Sequence, residues 1–219
     1  MIAVTFALPS ESSAFVHLLE GHQPQSIAIF HTGVGEAATR ARLPSLLDAE
    51  KPHLLISSGF AGALNKVWEP GDLLLAENVS DADLLAAATR SLPQARLGRI
   101  TSAAAIVDSP AMRHELGKSL RADAVDMESE VIGELCATRG IPMLSLRVIS
   151  DTPAFPFPAP PSVLFDLERQ RTEFARLFLY VAKHPSSVPR FIRFARQISA
   201  ARSALGDALY LLISSGSLS

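Results

Sequence analysis

A single cysteine, Cys136, in 219 residues excludes an intramolecular disulfide framework and any cysteine-rich zinc site, and it fits a reducing cytoplasm. An excess of one charge is lacking too. Twenty basic against 22 acidic side chains leave a net charge of −2, so no global field draws in nucleic acid. No apolar run approaches the roughly eighteen residues of a membrane span. The start, Met1 to Ala7, lacks the basic flank of a secretory signal and reaches polar residues early. These absences, with no metal-ligand cluster, cofactor motif or internal repeat, predict a soluble cytoplasmic chain without a cofactor. What is there is apolar mass: 48% of residues are hydrophobic, enough for one large core spanning residues 1–219.

The small net charge hides a division. Residues 1–168 carry 12 basic and 20 acidic side chains, whereas residues 169–219 carry 8 and 2. Between the two lies Thr152 to Pro161, with five of the fifteen prolines. Proline removes N–H donors and fixes φ, which predicts an extended segment rather than a strand or helix. The chain thus reads as a core (1–151), a proline-rich rim or connector (152–161) and basic C-terminal helices (162–219).

Along the core, short apolar runs alternate with helical patterns. Ile2–Ala7, Ser26–His31, His53–Ser58, Asp72–Val79 and Pro142–Ser150 read as strands; Glu11–Leu19, Glu36–Leu47, Pro110–Leu120 and Glu128–Arg139 read as helices. Strands apolar on both faces and spaced by helices predict a three-layer α/β fold with a largely parallel sheet. In such sheets chemistry sits where strands end. The strand ends here carry Pro9-Ser10-Glu11, Thr32-Gly33-Val34-Gly35, Ser57-Ser58-Gly59-Phe60-Ala61-Gly62 and Ser150-Asp151, and Val125-Asp126-Met127-Glu128 opens the helix before the last strand.

Singly, each feature has a plain reading. The Thr32–Gly35 segment is an anion nest or a glycine turn, since it lacks the third glycine of a dinucleotide fingerprint and the lysine of a P-loop. The small residues from Ser58 to Gly62 permit close backbone approach or a simple turn. Glu11 caps a helix, where the macrodipole favours a carboxylate. Asp151 ends a strand, and Arg147, inside an apolar strand, needs a buried partner if it points inward. Together, three carboxylates at separate strand or helix ends exceed what a packed core requires. Two converging carboxylates divide acid and base work when their surroundings separate their proton affinities, and a third holds sugar hydroxyls.

Read in order, Ala7-Leu8-Pro9-Ser10-Glu11, Thr32-Gly33-Val34-Gly35, Ser58-Gly59-Phe60-Ala61-Gly62-Ala63-Leu64, Gly71-Asp72-Leu73, Ala124-Val125-Asp126-Met127-Glu128-Ser129 and Arg147-Val148-Ile149-Ser150-Asp151 resemble the nucleoside phosphorylase and nucleosidase superfamily. Within it they are most similar to the methylthioadenosine/S-adenosylhomocysteine nucleosidases and the hopanoid-associated nucleoside phosphorylases. The resemblance covers roughly residues 1–155. It implies a mixed, mostly parallel, twisted sheet partly closed into a barrel and flanked by helices, and cleavage of an N-glycosidic bond in an adenine nucleoside. It makes Asp151 the acid at purine N7 and Glu11 the base for the attacking water. It places Glu128 on the ribose hydroxyls with Met127 against the sugar, and Gly33, Ser58, Gly59, Phe60 and Ile106 around the substrate. Homo-oligomers are the superfamily's habit.

Phosphorylases of this fold place an arginine and a hydroxyl where this sequence has Ser57 and Phe60, which give a phosphate dianion no charge-assisted donor. Arg40 is the nearest alternative cation and is expected to face solvent. Water is therefore the expected nucleophile. The aromatic that stacks on the base in the nucleosidases is replaced by the alanines of Ser102 to Ile106, which leaves a wider pocket or a ring supplied by Phe155 or Phe157. Residues Pro189–Ile213 show an apolar stripe (Phe191, Phe194, Ala195, Ile198, Leu205, Leu209 and Leu212) with Arg190, Arg193 and Arg196 opposite and Arg202 breaking it. Such a helix fits an anionic membrane surface, as a lipid-linked nucleoside would require, or docks on the domain or a subunit partner with its arginines solvated. A nucleoside-binding module without turnover is a third reading, against which the three carboxylates argue.

Overall fold

Strand β1 (Ile2–Phe6) sets the frame in this computed structural model, which describes residues 1–20, 27–160, 163, 180 and 182–218. Its side chains alternate across the sheet. Ile2, Val4 and Phe6 join one apolar cluster and Ala3 the opposite one. Helix α1 (Pro9–Leu19), strand β2 (Ile27–His31), helix α2 (Glu36–Glu50) and strand β3 (Leu54–Ala63) follow. Then come β4 (Leu73–Ala76), α3 (Ala82–Ser91), β5 (Arg96–Gly98), β6 (Ile100–Ser102), α4 (Pro110–Leu120) and β7 (Ala124–Asp126). Helix α5 (Ser129–Ala137) and strand β8 (Met143–Asp151) complete the core, and α6 (Val188–Ser214) closes the chain.

The ladder order is β2-β1-β3-β8-β4-β5, with β7 joining both β3 and β6. All pairings are parallel except β3–β7 and β4–β8. β5 and β6 are separated only by Arg99, and among the described residues no ladder joins them. The sheet therefore curls from β3 through β8 and β4 back towards β7 without a closing ladder. The expected mixed, mostly parallel α/β architecture is observed. Helices α1, α3 and α6 pack on one face through Phe15, Ala88, Leu205 and Leu209; α2 and α5 pack on the other through Leu43, Leu47 and Ile132. A third cluster gathers Trp68, Leu74 and Ile100 with Ala124 and Ile149, joining β4, β6, β7 and β8. Each fully buried Leu, Ile or Phe of these layers contributes about 1.5–3 kcal/mol.

Several boundaries differ from the sequence expectation. Ser58–Gly62 is not a loop: β3 continues through it, pairing with β8 from Leu55↔Met143 to Gly62↔Asp151. Asp151 is accordingly the last residue of β8 rather than a residue beyond it. Val125 and Asp126 belong to a short strand, and the helix starts at Ser129. Helix α3 was not expected at all; Asp81 caps it, its carboxylate accepting the Asp83 and Leu84 N–H groups. From Thr152 to Pro160 the proline-rich stretch holds only an isolated bridge, Thr152↔Phe155. Ser26, at the start of the expected second strand, lies outside the described residues, as do Pro161 and most of the expected C-terminal helical region before residue 182. Among the described residues no helix is long and apolar enough to cross a membrane.

Candidate active site

The parallel strands β1, β3 and β8 end on one side of the sheet, and a cavity of about 360 Å³ opens there. That volume suits a small ligand. Four carboxylate residues line the cavity, Glu11, Asp126, Glu128 and Asp151. Glu11 stands in the first turn of α1, directly after β1. Its Oε2 accepts the N–H groups of Ala7 and Leu8 at 3.0 and 3.1 Å, so the residue caps the helix and faces the cavity with one side chain. Its carboxylate lies over Gly59 of β3, where a Cβ would stand 3.5 Å from either oxygen. Burial pushes the Glu11 carboxyl above the usual range, against the pull of the Leu8 N–H and Arg147.

Glu128 stands between β7 and α5 and reaches back to the loop after β2. Its Oε1 accepts the Gly35 N–H at 2.6 Å. Gly35 has φ 89°, a conformation that favours glycine and aims this N–H at the carboxylate. Met127 covers the same glycine, its Cε 3.7 Å from where a Cβ would be. The Glu128 carboxyl is pushed up to about 8, by burial first and by the neighbouring Asp126 charge second.

Asp151, 2% exposed, forms a buried ion pair with Arg113 of α4 and accepts the Ser150 hydroxyl at 2.6 Å. Burial raises its carboxyl while the Arg113 charge opposes the rise. The pair lies on Gly62, where a Cβ would come within 3.1 Å of Asp151 Oδ2 and 3.3 Å of Arg113 Nη1. Close approach, not a turn, is what this glycine provides.

Beneath the carboxylates lies a polar layer with its partners in place. Arg147 donates to Asp126 (3.0 Å), to the Ser57 carbonyl (2.6 Å) and hydroxyl (2.7 Å), and to Ser129 (2.9 Å). Asp126 also accepts the Ser102 hydroxyl at 2.7 Å and the Ser129 hydroxyl at 2.6 Å. The buried arginine of the apolar strand thus has its partner. Ser58 differs: its buried Oγ has no hydrogen-bond partner. It lines a recess of about 10 Å³ with Glu11, Glu128 and Arg147, close to the size of one water.

Of the residues expected at the site, Asp151, Glu11, Glu128, Met127, Phe60 and Ile106 line the main cavity. Ser58 and Gly59 line the adjoining recess. Gly33 lines neither. Its N–H donates to the Ala7 carbonyl at 3.0 Å, and the cavity residue from its loop is Val34. Phe157 of the proline-rich stretch reaches the cavity and meets Phe194 of α6 edge-on, with ring centroids 5.5 Å apart; Phe155 is exposed. Arg40 is bound by Glu36 and Glu134 at the surface. Sequence reasoning missed Arg113 and the partnership of Asp126. The former sits in a polar helix with no periodicity to mark it as buried. Among the described residues no group of three or more His, Cys, Asp or Glu is placed to hold a metal ion.

Residues 80–183 match the model of the phosphorylase superfamily. A 5'-methylthioadenosine/S-adenosylhomocysteine nucleosidase of Staphylococcus aureus is 26% identical over 157 residues, covering 58% of this chain and 69% of its own. Among solved structures, futalosine hydrolase of Helicobacter pylori superposes with a TM-score of 0.72 at 17% identity, over 98% of this chain and 97% of that one. The 5'-methylthioadenosine/S-adenosylhomocysteine nucleosidase of H. pylori gives 0.72 at 18% identity with the same coverage, and that of S. pneumoniae gives 0.70 at 18% over 97% of each chain. The resemblance carried by the sequence motifs therefore stands: residues 80–183 match the phosphorylase superfamily model, and along nearly its whole length the chain takes the fold of these solved structures.

Proposed function

We propose that this protein is a purine nucleosidase that hydrolyses the N-glycosidic bond of a 5'-substituted adenosine such as methylthioadenosine or S-adenosylhomocysteine. The observation that carries the reading is convergence: Glu11, Glu128 and Asp151 come from distant parts of the chain and line one nucleoside-sized cavity. The names of the relatives and neighbours agree with it.

The chemistry follows from the surroundings of each group. Asp151, buried and raised, serves as the acid at N7, so the purine departs as a neutral base. Glu128, between Met127 and the Gly35 N–H, holds the ribose hydroxyls. Bonds that strengthen as positive charge grows at the anomeric carbon favour the transition state over bound substrate. Glu11 orients the attacking water and takes its proton, and the Ser58–Glu11–Glu128 recess is where that water sits in this reading.

Water is favoured over phosphate by charge. Arg147, the cation lining that recess, is already paired with Asp126, and Ser57 is engaged with Arg147. A dianion between two carboxyl groups has no charge-assisted donor to offset its desolvation. Adenine release from methylthioadenosine in phosphate-free buffer tests the choice. Release that requires phosphate overturns hydrolysis, and tight binding without release supports a non-catalytic module.

A second reading, release of adenine from a lipid-linked adenosine, is favoured by one observation. Helix α6 lines the cavity through Phe194 and Ile198, while Arg190, Arg193 and Arg196 of the same helix face solvent beside Ile192, 50% exposed. No residue of α6 before Ala201 is buried. Interleaved arginine and apolar side chains suit the surface of an anionic bilayer. Binding to anionic liposomes at low salt, lost when the three arginines become glutamine, supports this reading, and no binding removes it. A homo-oligomer in the cytoplasm completes the proposal, and sedimentation tests its assembly.

A further inference from the structure

Arg113 has no part in the reaction drawn above, yet it lines the cavity and is among the largest fully buried side chains. It makes bonds in three directions. Nε donates to the Val107 carbonyl at 2.9 Å, Nη1 to the Ala63 carbonyl at 3.1 Å, and Nη2 to Asp151 Oδ2. One planar group thereby joins the end of β3, the end of β8 and the loop before α4, which supplies Ala105, Ile106 and Val107 to the cavity wall. A buried ion pair is weak evidence of a stabilising role, since a well-packed apolar replacement often serves as well. What this pair gives that an apolar contact cannot is a fixed positive charge on the carboxyl facing the ligand.

We infer that Arg113 is the positioning residue for Asp151: it fixes the carboxyl's orientation and, by its charge, sets the pH above which Asp151 stops serving as an acid. The inference rests on the proposed role of Asp151. The two oxygens of that carboxyl are not equivalent. Oδ2 is held by a guanidinium that can only donate. Oδ1 accepts the Ser150 hydroxyl, which has a second acceptor, the Ala61 carbonyl at 3.3 Å. A hydroxyl rotates and a bound guanidinium fork does not. The proton of the acid form therefore resides on Oδ1, with Ser150 turned to Ala61, while Arg113 keeps Oδ2 in place.

The charged groups that bear on Asp151 are Arg113 on α4, which favours the carboxylate, and Asp108 in the loop before α4, which opposes it. Across the cavity, Glu11 accepts the Ala7 and Leu8 N–H groups, Glu128 accepts the Gly35 N–H, and Arg147 is paired with Asp126. Removing the Arg113 charge leaves burial and Asp108 opposed only by the Ser150 hydroxyl bond, so protonated Asp151 persists to higher pH.

The experiment titrates Asp151 by carboxyl NMR or infrared difference in ligand-free protein and records kcat and KM for methylthioadenosine against pH. Wild type, Arg113→Lys, Arg113→Gln and Arg113→Met are compared, the last keeping apolar volume if the glutamine variant unfolds. Arg113→Gln or Arg113→Met is expected to raise the Asp151 midpoint by about 1–3 pH units and to carry the alkaline limb of kcat with it. Arg113→Lys keeps the midpoint near wild type while raising KM, because an ammonium lacks the fork that ties down the cavity wall. A midpoint unmoved in both neutral variants overturns the inference. The titration needs no turnover: a shifted midpoint in a protein that releases no purine sinks the proposed function and leaves the coupling standing.

Discussion

Gly62 and Asp151 face one another across the β3–β8 ladder so closely that the hydrogen of one leaves room for the carboxylate of the other. A Cβ at position 62 would stand 3.1 Å from Asp151 Oδ2. Gly62→Ala therefore displaces the Asp151–Arg113 pair. Overpacking of this kind costs about 1–3 kcal/mol of stability, and misplacing the acid lowers kcat by about tenfold or more. Urea denaturation and initial rates on the same preparation check both effects. Wild-type kcat in Gly62→Ala contradicts the placement of the acid.

Glu128 links the site to the pH dependence of folding. Its carboxyl is near 4.3 in an unfolded chain and is pushed up to about 8 in the fold, by burial first. The folded state holds this proton more tightly, so the contribution to stability is complete below the unfolded value and is lost as pH rises through about 8. Glu11 and Asp151 are raised as well and act in the same direction. Melting temperature is expected to fall between pH 5 and 9, and Glu128→Gln to flatten that fall. Equal slopes in both proteins contradict the assignment.

Arg147 and Asp126 form a buried pair at 3.0 Å, with side chains 3% and 1% exposed. Removing one partner strands the other charge away from water. Arg147→Ala is expected to cost about 3–5 kcal/mol, seen as a lower urea midpoint. Pairing Arg147→Met with Asp126→Leu recovers part of the loss. A double variant no better than Arg147→Ala shows that the surrounding serines, rather than the stranded carboxylate, carry the cost.

Helices α1 and α6 cross at Gly206, where a Cβ would come within 2.9 Å of Ala14 Cβ and 3.0 Å of the Phe15 backbone nitrogen. The obstacle is largely backbone and does not swing aside. Gly206→Ala is expected to lower stability by about 1–3 kcal/mol and, by shifting the helix that carries Glu11, to reduce kcat. Unchanged melting shows that the crossing yields.

Much of the frame was legible because its signals are local. Continuous apolar strands marked β1 and β8, and helical patterns marked α1, α2 and α4. The carboxylates were legible as residues at element ends. What escaped depends on distant partners. Ser58–Gly62 looks like punctuation because glycines and serines usually mark turns, yet pairing with β8 holds it as strand. Arg113 sits among polar neighbours and takes its meaning from Ala63, Val107 and Asp151. Asp126 looks like a helix-opening residue until Arg147 arrives from β8.

The account turns on Asp151 acting in the chemical step, and the most direct measurement compares that step with binding in Asp151→Asn. Single-turnover release of adenine from methylthioadenosine is predicted to slow by about 10² or more, with nucleoside affinity within about threefold of wild type. Release at the wild-type rate contradicts the account.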